Sequence, residues 1–380
     1  MLQTEPTLDP VVMARIRAPF DGFGGAMIDA PVLQPLSLLL DLAGEAMRAR
    51  LFVVQGEGAE EQALRPDFTV PVVQAHIASG AATGRYRYEG KAFLAAERGS
   101  HHPTEFLQIG AELFGASPNA AADDARIAGL AWSAAKAGGR EDLSIRLGDP
   151  GLLSGFLTAL GLTEATHNRL MRAFRSERAL AAELSGAGSR AADQQSLRLA
   201  DLLGDMSEPD ATGLLEELWR MSGIQPVGGR SASEIVQRLA ARAEAARAPG
   251  LTPVEANLIE RFLGLTGRPE AVLADIRKLA SSAKAPMDAL LEGWSQRLVA
   301  LAVAGVDAEA MTLSTSFIRG FGYYDGMLFE IHSAGLAPDQ PVAGGGRYDA
   351  LPLRLGGARG AVGCMVRPGR AICPVGGFSA

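Results

Sequence analysis

The chain has 380 residues, 47% apolar and 21% charged, which excludes a disordered or collagen-like protein and leaves room for a sizeable core. Its 36 Lys and Arg against 43 Asp and Glu give a net charge of −7, which argues against a protein built to live on a phosphate backbone. Two cysteines make no disulfide framework, residues 1–6 carry no signal-peptide pattern, and no apolar run approaches the roughly 18 residues of a membrane span, so a soluble cytoplasmic protein without a membrane partner is expected.

Residues 30–35 read as extended, because residues before Pro31 and Pro35 avoid the α region. Residues 35–50 carry helical periodicity through Leu36, Leu39, Leu40, Leu42 and Ala43, and residues 51–54 and 143–147 form short apolar strand candidates. Asp149-Pro150 is a helix start with proline at the first position. From about 163 to 305 the sequence is rich in Ala, Leu, Arg and Glu, with almost no strand signal. Ser231 and Glu234 are spaced as a capping box, and Thr252-Pro253-Val254-Glu255 is a better one. Ile259, Phe262 and Leu263 then share a helix face, as do Met287, Leu290, Leu291, Trp294 and Leu298, while residues 186–190 and 226–229 read as loops. After 310 strands return. Residues 311–317 alternate weakly, Tyr324-Asp325-Gly326 offers a hairpin turn before 328–331, Gly344-Gly345-Gly346 reads as a tight loop, and 356–366 ends in an apolar run. Strands, then helices, then strands predict an α+β fold formed by residues 1–162 and 306–380 and interrupted by a helical insertion, 163–305.

Four segments carry chemistry. If residues 106–115 form a strand, Leu107, Ile109, Ala111 and Leu113 share one face and Gln108, Gly110 and Glu112 the other. Gly110 then leaves space for a small ligand between two polar groups; the plain alternative is a solvated face. In Arg65-Pro66-Asp67-Phe68-Thr69, a carboxylate and a hydroxyl two residues apart share one face of an extended chain and suit an ammonium group; the alternative is a loop into a helix with Asp67 or Thr69 as its cap. Residues 318–326 set Arg319 among glycines before Tyr323 and Tyr324, which suits a fork of donors for a carboxylate or phosphate, or a Gly-rich hairpin with packed aromatics. The glycine run before Arg347-Tyr348-Asp349 is a weak sign of a phosphate cradle. There is no Walker A pattern, no dinucleotide fingerprint and no zinc spacing, and His101-His102 lacks Cys or acidic partners at zinc-like intervals, so neither metal nor cofactor is expected.

In this order the segments resemble the catalytic core of histidyl-tRNA synthetases, class II enzymes, over about residues 20–162 and 310–370. The most specific stretches are Arg319-Gly320-x-x-Tyr323-Tyr324, Gly345-Gly346-Arg347-Tyr348-Asp349 and Phe106-x-Gln108-x-Gly110-x-Glu112. The resemblance implies an antiparallel sheet flanked by helices, with Pro31 at a motif 1 self-dimer interface. It also implies a histidine pocket. Asp67, Thr69 and Gln108 match positions at the α-amino group, Glu112 and Tyr324 those near the imidazole, and Arg319 the arginine facing the carboxylate and reacting phosphate; Tyr323 joins them in the same pocket. Asp67 stands where the synthetase has the longer Glu.

The nucleotide side departs from the synthetases. Motif 2 there reads Phe-Arg-x-Glu; this chain reads Phe93-Leu94-Ala95-Ala96, so Leu94 replaces the α-phosphate arginine and Ala96 the glutamate at the adenine edge. His102 replaces a further loop arginine. Loss of one preorganised donor aimed at developing charge costs about 3–4 kcal/mol. The motif 3 glycine becomes Arg367, followed by Pro368, while Arg370 keeps the motif's arginine. The chain runs only to Ala380, so the anticodon-binding domain of the synthetases is expected to be absent.

The combination, with the Arg65-Pro66-Asp67-Phe68-Thr69 form, is similar to the regulatory-subunit family of ATP phosphoribosyltransferase. That resemblance implies a non-catalytic chain in the first step of L-histidine biosynthesis. Its partner would be a short-form catalytic subunit, in a hetero-octamer of four plus four chains, and it would support activity and feedback inhibition by L-histidine. The other readings are an active truncated histidyl-tRNA synthetase or amino-acid-activating enzyme, and an RNA-binding module. The acidic charge and the missing anticodon domain argue against tRNA as a partner.

Overall fold

In a computed structural model, the structure describes residues 5, 8–55, 61–96, 102–115, 119–186, 206–222, 232–233, 235–237, 239–240, 250–319 and 322–373. The Ser231–Glu234 capping box, the loop at 226–229, the loop after Gly186, His101, and Gly320 and Phe321 lie outside the described residues.

Helix α1 (Pro10–Phe23) starts where the Asp9 carboxylate accepts from the Val11 and Val12 amides, with proline at the first position. Strands β1 (Ala26–Met27) and β2 (Leu33–Pro35) lead into α2 (Leu36–Ala43). The periodicity read through residue 50 breaks at Gly44, whose φ of 86° ends the helix, and Glu45–Arg50 continue as a 3-10 turn. Then follow β3 (Val53–Val54), β4 (Gln62–Leu64), α3 (Thr69–Ala78), the long strands β5 (Gly84–Phe93) and β6 (Glu105–Phe114), α4 (Ala120–Ala137), β7 (Leu143–Gly148) and α5 (Pro150–Ala159). Asp149 caps α5, accepting from the Gly151 amide at 2.7 Å.

The described part of the next stretch is helical: α6 (Glu164–Ala173), α7 (Glu177–Leu184), α8 (Glu208–Ser222), α9 (Pro253–Leu263), α10 (Pro269–Ser282) and α11 (Asp288–Val303), with one two-residue strand, β8 (Thr266–Gly267). Thr252 and Glu255 form a reciprocal capping box at the start of α9. The chain then returns through β9 (Met311–Ser314), β10 (Leu328–Ser333), β11 (Ala343–Arg347), α12 (Ala350–Arg354), β12 (Ala361–Val366) and α13 (Pro368–Ala371).

Nine strands form one sheet in the order β1-β5-β6-β12-β11-β10-β7-β9-β8, antiparallel except for the β1–β5 and β7–β9 pairs. A small sheet, β2-β4-β3, stands apart. One apolar core joins α1, α4, α5–α7 and α9–α11 to the sheet, with Trp294 and Phe262 fully buried; a second packs α2 and α3 against β5 and β6, and Ala211 of α8 lies in a small separate cluster with Val236. This is an α+β fold, a mostly antiparallel sheet flanked by helices. Among the described residues, no helix is long and apolar enough to cross a membrane.

Two sequence readings are corrected. Gly344-Gly345-Gly346 is not a tight loop but the middle of the buried strand β11. Its glycines serve close approach: a Cβ on Gly345 would sit 2.2 Å from the Gly363 carbonyl, and one on Gly344 would strike the Arg319 guanidinium. Asp325-Gly326 does not turn a hairpin, because β7 lies between β9 and β10 in the sheet. Asp325 instead accepts from the Asp349 and Ala350 amides at 2.9 and 2.7 Å, pinning the loop to the start of α12.

Candidate functional site

The structure brings all seven predicted residues, Asp67, Thr69, Gln108, Glu112, Arg319, Tyr323 and Tyr324, to the wall of one cavity of about 90 Å³ over β6, β11 and β12. That volume is far below the roughly 300–1,000 Å³ of sites for drug-sized ligands, which limits an occupant to a small metabolite.

Glu112 stands on β6, and directly opposite it on β12 is Gly363. A Cβ at Gly363 would lie 1.4 Å from Glu112 Oε2, so that glycine makes the room for the carboxyl. Thr69 donates its hydroxyl to Glu112 Oε1 at 3.1 Å, and the Tyr348 hydroxyl donates to Oε2. Among the described residues no cation touches the group. Burial pushes its carboxyl up to about 8, against the pull of the two hydroxyls, with the nearby Asp67 charge adding to the rise. Glu112 is therefore largely protonated at neutral pH in the ligand-free protein.

Asp67 and Thr69 do not lie on an extended chain, as read from the sequence. Asp67 precedes α3, and its Oδ1 accepts from the Thr69 amide at 3.2 Å, so it caps the helix whose first residue is Thr69. The cap and the pocket are the same geometry: the bend that ends in the helix aims Asp67 Oδ2 at the Tyr323 hydroxyl, 3.3 Å away, and the Thr69 hydroxyl at Glu112. Burial raises the Asp67 carboxyl to about 6.

The polar face of β6 is not solvated. Gln108 and Glu112 are both buried, and Gln108 Oε1 has no hydrogen-bond partner. An orphaned amide oxygen on the wall of a cavity is an acceptor waiting for an N–H or O–H donor. The space left by Gly110 is already filled: a Cβ there would fall 2.2 Å from the Tyr88 hydroxyl, which donates to the Cys364 carbonyl at 3.3 Å. Tyr88 also stacks on Phe68, with ring centroids 4.4 Å apart.

Arg319 donates through Nη1 to the Phe329 carbonyl at 3.2 Å and to Glu330 Oε1 at 3.0 Å. Glu330 faces Gly344 across the β10–β11 ladder, and the guanidinium fits in the space of the missing side chain. Half of its donor fork is thus fixed by the protein.

A family model, that of histidyl-tRNA synthetase, matches the chain over residues 10–212 and 182–370. An ATP phosphoribosyltransferase regulatory subunit of Brucella anthropi is 35% identical over 349 residues, 91% of each chain. The chain belongs to the ATP phosphoribosyltransferase regulatory subunit family. The Brucella canis protein of the same name is 35% identical over 335 residues, 87% of each chain. Among solved structures, an ATP phosphoribosyltransferase regulatory subunit/histidyl-tRNA synthetase from Bacillus halodurans matches with a TM-score of 0.61 at 19% identity, over 96% of this chain and 78% of that one. A histidyl-tRNA synthetase from Nostoc matches at 0.59 and 17%, over 97% and 72%. At these identities the structures speak for the fold.

On the flank where motif 2 and motif 3 residues differ, this regulatory-subunit family member presents Leu94 and Arg367 to the cavity. The Arg367 guanidinium lies 3.6 Å from the centroid of the Phe106 ring and fills that face of the aromatic. Burial, then the like charge of Arg370, lowers Arg367 to about 9. Arg370 donates to the Pro341 carbonyl at 3.0 Å, and His102 faces Asp339 at 3.3 Å.

Sequence reasoning missed Tyr348, Gly363, Tyr88 and Glu330 as parts of the site. Tyr348 lay in a quoted motif. The two glycines that admit Glu112 and Arg319, Gly363 and Gly344, carry one available signal: glycine inside a strand marks a close approach.

Proposed function

We propose that this chain is a non-catalytic regulatory subunit of ATP phosphoribosyltransferase that binds L-histidine in the Glu112 pocket. The observation that carries the reading is a small polar cavity with unmet demand for donors: the orphaned Gln108 oxygen, and two carboxyls, Asp67 and Glu112, that touch no cation among the described residues. An α-ammonium at Asp67 and Gln108 and an imidazole N–H at Glu112 would meet that demand, while Arg319 turns its remaining donors to the carboxylate. The flank that would take a triphosphate offers Leu94, which donates nothing, and an Arg367 already stacked on Phe106. The amino acid is held but not activated.

The reading extends to the assembly. The chain joins a short-form catalytic subunit in a hetero-octamer of four plus four chains in the first step of L-histidine biosynthesis, supports its activity, and transmits feedback inhibition by histidine. Such regulation requires that histidine affinity differ between two states of the assembly. A self-dimer through the motif 1 region is supported by exposed apolar side chains on the small sheet, Leu33, Val53 and Val54, beside Val32. The helical segment 163–305 is the insertion of the core, and the pocket needs neither cofactor nor metal.

Calorimetric titration with L-histidine tests the pocket. Wild-type protein binds, and Glu112→Ala and Gln108→Ala weaken binding at least tenfold; equal heats in all three remove these residues from the reading. Co-purification with a short-form phosphoribosyltransferase, and its activity with and without this chain, tests the partnership. Histidine-driven ATP–pyrophosphate exchange above background would replace it with that of an activating enzyme.

A further inference from the structure

A second cavity, of about 790 Å³, lies outside the pocket and shares Arg319 and Tyr324 with it. Its walls are the end of α2 at Asp41, the first turns of α5 at Ser154, Arg172 at the end of α6 and Arg175 just beyond it, and Gly322 and Asp325. It falls within the roughly 300–1,000 Å³ range of sites that enclose a ligand of nucleotide size.

Two arginines on this wall have no ion-pair partner among the described residues. They are Arg172 and Arg175, three residues apart. Desolvation, and then the like charge of Arg354, lowers the proton affinity of Arg175. Two acids share the wall: Asp325 is occupied by the Asp349 and Ala350 amides, and Asp41 stands at the end of α2. The position of Arg175 is also built: a Cβ on Gly322 would come 2.9 Å from its Nη1, so glycine there lets the guanidinium lie against the loop. In a chain of net charge −7, two arginines on one concave wall, without an ion-pair partner among the described residues, call for an anion. Two such charges suit a dianion better than a single carboxylate. A phosphate monoester carries about −1.5 to −2 at pH 7 and has three acceptor oxygens that match guanidinium forks.

We propose that this cavity is a second ligand site, for a phosphorylated small molecule of nucleotide size whose phosphate is gripped by Arg172 and Arg175. The site adjoins the histidine pocket through Arg319 and Tyr324, but the arginines that grip the phosphate, Arg172 and Arg175, lie outside that pocket.

Equilibrium dialysis of the full chain against adenosine 5′-monophosphate, ribose 5-phosphate and adenosine tests it. The two phosphorylated probes bind, adenosine binds at least tenfold more weakly than its monophosphate, and R172A/R175A loses at least tenfold in affinity for both phosphates. Glu112→Ala, which alters the pocket alone, leaves their binding unchanged. Both residues keep much of their surface exposed, and a thermal melt verifies that the double variant is folded before its binding is read. The proposal is overturned if neither phosphate binds at millimolar concentration, if adenosine binds as tightly as its monophosphate, or if Glu112→Ala rather than R172A/R175A abolishes binding. Retention of a structured RNA that depends on the two arginines, with no binding of the small phosphates, would give the surface to a different ligand and equally overturn it.

Discussion

Glu112 and Asp124 are both carboxyl groups with essentially no exposure, and the protein treats them in opposite ways. Asp124, on α4, accepts from Arg297 of α11 at 2.6 Å and from Arg347 of β11 at 2.8 Å. Burial pushes its carboxyl up and the two guanidinium groups pull it back. Glu112 receives two hydroxyls and, among the described residues, no cation. The first arrangement is complete without a ligand and ties the helical segment to the sheet. The second is complete only as a neutral acid, or when something else supplies positive charge. Two buried acids thus separate a structural anchor from a receptive site, and the criterion is compensation rather than burial.

The largest expected effect tests the anchor. Asp124→Ala leaves the half-buried Arg297 and the buried Arg347, which keeps Asp349, without their shared partner; removal of one member of a buried ion pair costs up to about 3–5 kcal/mol. Urea denaturation should register that loss; a change below about 1 kcal/mol would show that the anchor is no stronger than a surface pair.

The pH dependence of stability tests the receptive site. Glu112 is held at about 8 in the folded chain against an ordinary 4.5, so between those values the folded state binds a proton that the unfolded state has released. Stability then falls as pH rises through this window, by at most about 1.4 kcal/mol per pH unit. Asp67 and Asp149, both raised from 3.8 to about 6, add the same sign of slope below pH 6. Glu112→Gln should remove the slope between pH 6 and 8 and keep it below 6. A Glu112→Gln protein with the wild-type slope up to pH 8 would show that Glu112 is not held as a neutral acid in the folded chain.

Much of this contrast was legible in the sequence and part of it was not. The alternation along 106–115 put Gln108 and Glu112 on one face, and Asp149-Pro150 and Thr252-Pro253-Val254-Glu255 announced their helices, because caps and periodicity are local. The burial of that polar face was not legible, because it depends on α3 and Tyr348, distant in sequence, packing over β6. The glycine run at 344–346 reads as a loop by local propensity, yet it is a strand because Arg319 and β12 need its missing side chains. Arg347 looked like part of a glycine-rich cradle; its partner, Asp124, lies 223 residues away, and no spacing rule joins them.

Gly344→Ala makes that last class of effect measurable. The added Cβ would fall 1.7 Å from Arg319 Nη1, so the guanidinium must leave Glu330 or the strand must move. Overpacking of this kind costs about 1–3 kcal/mol, and histidine affinity should fall with it because Arg319 is displaced. An unchanged melt together with unchanged affinity would mean that Arg319 is not seated over Gly344.

Tyr323→Phe carries the smallest effect and divides the two acids most finely. Its hydroxyl supports Asp67 and does not touch Glu112 among the bonds described. Below pH 5 Asp67 is protonated, and the lost bond is one between neutral groups, worth about 0.5–1.5 kcal/mol. Above pH 7 Asp67 is ionised and the same hydroxyl donates to a charge, worth about 1.5–3 kcal/mol. The cost of the substitution should therefore grow by about 1 kcal/mol across the Asp67 titration near pH 6, and the Asp67 carboxyl should move further up once its donor is gone. A urea series from pH 5 to 8 reads the difference between variant and wild type. A cost that does not change with pH would place the titration elsewhere and leave Tyr323 as a packing residue beside Tyr324, whose ring centroid is 4.6 Å away.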